Sequence, residues 1–461
     1  MDGGYQLKFL KEEPYGTVKG FFLSSAAWFA FATLAGLVDA TDMMVPDLLQ
    51  KLPFTVFGRV RPIHVNIVIF GFVGSALQGA ALYLVPTLVK APLYSERIGK
   101  ISLWLWNLAL IAGAITLDLG YTQAREYAEF IWPIDIGILI CWILMFYNYF
   151  QTVKRRTENL LYVSVWYVLG SVIFTFFSYG FGNAVWHPAT GAITGMPDAI
   201  LAWFNGHNVV GLFLTPLAIA VTYYIFPILS GRPLFSHTLS LIGFWSILLI
   251  YTHIGTHHLL QTPAPTWLKV IAITGSIGML IPVLTVLVNQ WLTMRGRLGA
   301  IHQNIGGKFV FAGTVWYLLT CLQGPLQAMP YVQRLTHLNN WVIAHSHIGV
   351  LGFAGSIGLG AIYFILPRVT GRPVYSKALA DVQYWLILIG LSGFFLVLTV
   401  AGLIQGNGWL NGEPVYNLLT EIYLYMVLRA SLGVLIFFGA LIGLYNIYRS
   451  IYGPVVKVEK I

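Results

Sequence analysis

Apolar residues dominate this chain in long blocks, and the polar residues between them come in short clusters. A helix needs about 20 apolar residues to cross a bilayer. Blocks of that length fall at 20–41, 62–90, 101–123, 130–151, 157–182, 201–229, 237–260, 266–294, 308–328, 341–368, 381–405 and 418–448. None shows the two-residue alternation of a strand. The pattern predicts an all-α polytopic membrane protein, with twelve transmembrane helices in one domain over residues 1–461. They are numbered helix 1 to helix 12 below.

Composition agrees. The chain is 57% hydrophobic and 9% charged, roughly a third of the charged fraction usual in soluble proteins. That excludes a soluble enzyme carrying a single anchor. The polar, charged start, MDGGYQLKFLKEEPYG, argues against a short cleaved signal. Cys141 and Cys321 both fall inside apolar blocks, so they give no disulfide framework. No C-x-x-C-H motif is present for covalent haem.

Charge then sets orientation. Nineteen of the 26 Lys and Arg residues lie at the two ends of the chain and in the loops after helices 2, 4, 6, 8 and 10. Lys51, Arg59, Arg61, Arg125, Lys269 and Arg334 lie on the opposite side, and Arg429 lies inside helix 12. By the positive-inside rule both termini are cytoplasmic. The net charge of +9 is mostly this topology signal and calls for no nucleic-acid partner.

Three segments repeat: LYLVPTLVKAPLYS (82–95), YYIFPILSGRPLFS (223–236) and YFILPRVTGRPVYS (363–376). The period is about four helices, so the twelve form three sets of four in a pseudo-threefold arrangement. Helices 2, 6 and 10 are then equivalent. His64 and His345 each lie 22 residues before the first proline of their repeat, and His207 and His347 lie 20 before. At 1.5 Å per residue this is about 30 Å, one membrane thickness. Helix 7 runs the other way and ends near HIGTHHLL, which brings His257 and His258 to the same outer level. A single histidine near a helix end is ordinarily a hydrogen-bonded interface residue. Six at one depth point to metal or haem ligation, because ionisable groups inside membranes are costly. His187 and His337 fall in outer loops, and His237 and His302 lie near the cytoplasmic side. These, with His253, read as structural or water-contacting residues.

In WVIAHSHIGV, His345 and His347 are two apart, a rotation of about 200° on a helix. The rings point to opposite faces and can each ligate a different haem. His64, on the equivalent helix, can reach one of these from its far side. That haem is six-coordinate and suited to electron transfer; the other keeps an open face. His207, His257 and His258 remain as a three-imidazole set, which suits copper, iron or zinc. Beside an electron-transfer haem, copper or iron is favoured. Tyr251 lies seven residues before His258, hence on the same face of helix 7 and about 10 Å deeper. It is either an interface tyrosine or a donor of an electron and a proton.

The stretches GRVRPIHVNIVIFGF, WFNGHNVVGLFLTP, GRPLFSHTLSLIGFW, HHLLQTPAPTW and AHSHIGVLGF resemble the catalytic subunit of C-type, or cbb3-type, haem–copper cytochrome c oxidases. The resemblance covers all twelve helices. It implies that His64 and His347 are axial ligands of a low-spin haem b, and that His345 is the proximal ligand of a high-spin haem b. It implies that His207, His257 and His258 bind one copper, and that Tyr251 is the tyrosine crosslinked to His207. It places Arg61 near the haem propionates, a role that Arg59 and Arg429 share, and a calcium ion beside them. The reaction implied is reduction of O2 to water in the bacterial inner membrane. Electrons come from cytochrome c through c-type cytochrome subunits, and proton uptake and pumping are coupled to it. With no carboxylate inside helices 6 to 9, the proton route uses Ser240, Tyr223, Thr215, Asn289, Tyr317 and Tyr251. One departure is Gln323, where the family has a glutamate that bonds the proximal histidine. Two rivals remain. A nitric oxide reductase has non-haem iron in place of copper and needs carboxylates near it, but the residue one turn after His207 is Gly211. A redox sensor or electron conduit leaves three histidines unused.

Overall fold

The computed structural model describes residues 13–49, 51–184, 186–187 and 191–453. Among these, eleven helices are long and apolar enough to span a membrane: helix 1 Gly16–Met44, helix 2 Phe57–Val89, helix 3 Glu96–Asp118, helix 4 Trp132–Lys154, helix 5 Val163–Asn183, helix 6 Met196–Ser230, helix 8 Thr266–Thr293, helix 9 Ile305–Gln327, helix 10 Asn340–Thr370, helix 11 Lys377–Leu410 and helix 12 Val415–Tyr452. The shorter His237–Tyr251 is helix 7, which completes the twelve. Among the described residues the one strand pair, Trp186–His187 with Gly191–Ala192, is two residues a side. The side chain of His187 lies outside the described residues.

Helices 2, 6 and 10 form the centre. Each buries 94% of its most apolar window, whereas the other eight long helices bury 28–61% of theirs. The three carry four of the six outer-level histidines. Each turns from α to π geometry just inside the membrane from those histidines, over Ile67–Gly74, Val209–Leu214 and Ile348–Gly355. A π turn adds a residue to the helix and re-aims the turns on either side of it. In all three, a hydroxyl just past the π turn bonds the carbonyl five residues back. Ser75 donates to Phe70 at 3.4 Å, Thr215 to Val210 at 2.9 Å and Ser356 to Leu351 at 3.3 Å.

The repeat continues at the cytoplasmic ends. Each central helix ends one turn past its proline on a left-handed residue: Lys90, Gly231 and Gly371. Ser95, Ser236 and Ser376 then cap helices 3, 7 and 11, each accepting a backbone N–H at 3.2 Å. A buried asparagine on the following helix clasps each cap residue's backbone from both sides. Asn148 holds Ser95 at 3.1 and 3.0 Å, Asn289 holds Ser236 at 2.9 and 2.8 Å, and Asn446 holds Ser376 at 3.0 and 2.9 Å. Lipid offers no hydrophobic drive for one helix to leave it for another, so packing and hydrogen bonds such as these hold the bundle, at about 1 kcal/mol or less each.

Candidate metal centre and flanking pocket

His207 stands one residue before the last α-helical position of helix 6, ahead of the π turn. His257 and His258 do not continue helix 7 as the sequence predicted. That helix stops at Tyr251, and the two histidines lie on a 3-10 turn, Gly255–Leu259. Gly255 lets this turn press on helix 6: a Cβ there would sit 2.5 Å from the Trp203 carbonyl oxygen. Gln333 pins the turn by donating to the His257 carbonyl at 2.6 Å.

The three imidazoles converge. Their nearest ring nitrogens all lie within 4.8 Å of one another, and His207 Nδ1 is 3.2 Å from His258 Nε2. Nitrogens bound to one metal at about 2 Å each lie no more than about 4 Å apart. Among the described residues this is the one group of His, Cys, Asp or Glu with such spacing. His257 Nδ1 meets the Ser276 hydroxyl at 2.7 Å, which leaves Nε2 for a ligand. Trp203 stacks on His258 with centroids 3.9 Å apart and planes within 11°. His207 Nε2 is buried with no protein partner. A cluster of half-buried imidazoles with one ring nitrogen unpartnered fits a cation at its centre.

Tyr251 belongs to this cluster by a different route from the one predicted. Because helix 7 ends there, the two-turn spacing to His258 has no helix to run along. Its ring instead stacks on His207, with centroids 4.3 Å apart and planes within 11°. Gly211 makes the room: a Cβ there would lie 1.7 Å from a Tyr251 ring carbon. A side chain one turn after His207 is therefore incompatible with Tyr251 in this position.

His345 and His347 leave opposite faces of helix 10, as predicted. His345 Nδ1 meets Gln323 Oε1 at 3.1 Å. His347 Nδ1 bonds the Ile343 carbonyl and His64 Nδ1 the Ala32 carbonyl, each at 2.8 Å. Both rings thereby keep Nε2 for the pocket between them. Their centroids are 6.2 Å apart, and two imidazoles bound to one metal from opposite sides at about 2 Å each would be spaced by about 6 Å. The residues fit a bis-histidine haem.

Arg61 and Arg429 both line this pocket, with Asp39 and Tyr127. Arg61 pairs with Glu126, and Arg429 points its guanidinium at Met43 Sδ, 3.0 Å away. Arg59 donates to the Asp118 carbonyl at 2.8 Å, at the end of helix 3. Sequence reading passed over Asp39, Glu126 and Glu129. Asp39, an acid within the first apolar block, carried the signal of a costly intramembrane charge. Glu129, in the loop before helix 4, is bonded by Asn66 Nδ2 at 2.8 Å, and burial pushes its carboxyl up to about 7.

The predicted proton-route residues divide. Tyr223 and Asn289 meet at 3.4 Å, and Ser240 is buried and bonds the His237 carbonyl at 2.6 Å. Tyr317 is buried against Phe353, beside the Cys321 thiol. Thr215 donates its hydroxyl to the Val210 carbonyl, as its counterparts Ser75 and Ser356 do to theirs.

A three-histidine centre beside a bis-histidine pocket, on twelve helices in three sets, defines the catalytic subunit of a haem–copper oxidase. The family described as cytochrome c and quinol oxidase polypeptide I matches residues 16–435, and the chain belongs to it, in the cbb3-type branch. The cbb3-type cytochrome c oxidase subunit CcoN1 of Stutzerimonas stutzeri is 31% identical over 95% of each chain. A cytochrome c oxidase subunit 1 homolog of Agrobacterium tumefaciens is 32% identical over 95% of this chain and 83% of that one. A nitric oxide reductase chain of Stutzerimonas stutzeri is more distant, at 26% over 97% of each. A heme-copper terminal oxidase dimer solved by cryo-EM shares the fold, with a TM-score of 0.80 at 18% identity over 95% of this chain and 85% of that one. The protein is thus a multi-pass protein of the bacterial inner membrane whose family carries haem and copper.

Proposed function

We propose that this chain is the oxygen-reducing subunit of a terminal cytochrome c oxidase. In this reading His207, His257 and His258 are its copper ligands, His345 is the ligand of a high-spin haem b, and His64 and His347 hold a low-spin haem b. The observation that carries the reading is the convergence of three half-buried imidazoles within 4.8 Å, with Tyr251 stacked on one of them. Haems and copper, when bound, supply the four-electron reduction of O2 to water with electrons from cytochrome c.

The chain's residues prepare that chemistry. Ser276, the Ala32 and Ile343 carbonyls and Gln323 each engage one ring nitrogen of a ligand histidine, which orients the ring and frees the other nitrogen. Tyr251, held against His207 in a water-poor site, gives a proton and an electron to the reacting oxygen. Arg61 and Arg429 face the low-spin pocket and neutralise haem carboxylates. A calcium ion near those carboxylates belongs to the same reading. Ser240, Tyr223, Thr215, Asn289 and Tyr317 carry cytoplasmic protons toward Tyr251, with pumping coupled to the uptake. Partner c-type cytochrome subunits deliver the electrons.

Reduction of nitric oxide at a non-haem iron is less supported. It needs a carboxylate near the third metal, and the space one turn after His207 is taken by Tyr251. Single substitutions His207→Ala, His257→Ala and His258→Ala test the assignment. Each loses copper and oxygen consumption and retains both haems, with the low-spin haem still reducible by the donor. Loss of a haem rather than copper would overturn it.

A further inference from the structure

The three four-helix sets allow one set to be read against another. In the third set, Tyr363 donates to Gln383 Oε1 at 2.5 Å and receives Asn446 Nδ2 at 3.4 Å. The ring of Phe309, fifth residue of helix 9, stands 5.9 Å from that of Tyr363. The second set has the same Asn–Tyr pair, Asn289 and Tyr223, also at 3.4 Å. The fifth residue of helix 5, Tyr167, takes the place of Phe309, its ring 5.9 Å from that of Tyr223. Seven residues after the capping serine, where the third set has Gln383, the second set has Gly243.

The two changes fit together. A Cβ on Gly243 would lie 3.1 Å from the Tyr167 hydroxyl. That hydroxyl therefore rests against bare backbone on the side where the third set has an amide side chain. Tyr167 is fully buried, and its hydroxyl has no protein partner. The third set shows that phenylalanine packs at this place. A buried hydroxyl without a partner is destabilising, so packing gives no reason for the oxygen. Buried hydroxyls of this kind bond internal water. Tyr317, also buried, lies beside the Cys321 thiol and within electrostatic range of Tyr167, Tyr223 and Tyr251.

We infer that Tyr167 is a proton-relay residue between Tyr223 and Tyr317, placed by the Phe309-to-Tyr167 and Gln383-to-Gly243 differences between the sets. The inference rests on the proton-uptake reading given above. Each transfer is balanced: the phenol oxygen takes a proton from water on the Tyr223 side as its own proton leaves to water on the Tyr317 side. Asn289 is then the structural clasp that it is in all three sets, and it touches the route only through Tyr223.

The test is Tyr167→Phe in the complete complex, with Tyr317→Phe as reference. Proton uptake from the medium is followed with an indicator dye while the fully reduced enzyme reacts with O2. Reduction of the low-spin haem by its donor is timed separately. Tyr167→Phe is expected to slow uptake about tenfold or more, with haem reduction rate and haem and copper content unchanged. Normal uptake in Tyr167→Phe beside slowed uptake in Tyr317→Phe overturns the inference and leaves the route standing. Normal uptake in both overturns the route itself. Slowed uptake together with lost haem or copper marks Tyr167 as structural and also overturns the inference.

Discussion

The imidazole of His345 and the carboxamide of Gln323 meet at 3.1 Å, Nδ1 to Oε1, across helices 10 and 9. A carboxylate in that place would stabilise positive charge on the ring and its iron; a neutral amide stabilises it less. Ferric haem carries one more positive charge than ferrous. Gln323→Glu should therefore lower the potential of the high-spin haem by tens of millivolts or more, equivalent to one to a few kcal/mol. A low-spin haem held by His64 and His347 would sit on the other face of helix 10 and should move much less. A redox titration in which both haems shift equally would contradict this. Because a protonated glutamate would blunt the effect, the titration is repeated at high pH.

Tyr251→Phe keeps the ring that stacks on His207 and removes only the hydroxyl. Both haems and the copper should stay bound while oxygen consumption falls at least about tenfold. Turnover at the parent rate would reduce Tyr251 to a packing residue.

Gly211 and Tyr251 exclude each other's side-chain space. Gly211→Ala should displace the Tyr251 ring and lower both copper content and oxygen consumption. Adding Tyr251→Ala should restore copper but not activity, since the cavity then accepts the methyl group. Equal copper in Gly211→Ala and the parent would show that the ring has another place to go.

Glu129 gives a pH dependence. Its carboxyl titrates near 4.5 when exposed and is raised to about 7 by burial. Between those values the folded state binds the extra proton, so stability should fall as pH rises from about 4.5 through about 7, by up to about 3 kcal/mol. Above that window the loss is complete. Thermal melting of the complex across this range should show the decline, and Glu129→Gln should flatten it. An unchanged slope in the variant would remove Glu129 as the cause.

The twelve spans and the depth of the six histidines could be read from the sequence because hydrocarbon imposes length and apolarity on each helix, and the repeated prolines mark each helix end. The opposed rings of His345 and His347 followed from helical rotation alone. Helix 7 could not be read that way. Its apolar block runs past Tyr251, but the chain leaves the α-helix there so that a 3-10 turn can bring His257 and His258 to His207. The bond of Thr215 to the Val210 carbonyl could not be read either: π turns leave no periodic trace, so the hydroxyl-to-carbonyl bond that it shares with Ser75 and Ser356 shows only in the fold. Arg59 and Arg61 lie two apart beside His64, and only the fold shows their different partners, the Asp118 carbonyl and Glu126.

The central claim is a three-imidazole copper site beside two non-covalent haems in one chain. The most direct test is metal and haem analysis of the purified complex, with haem extracted into acidified solvent to leave covalent c-type haem behind. The account predicts one copper and two extractable haems per chain, one of which binds CO in the reduced state. An active preparation that lacks copper and holds non-haem iron in its place would contradict it.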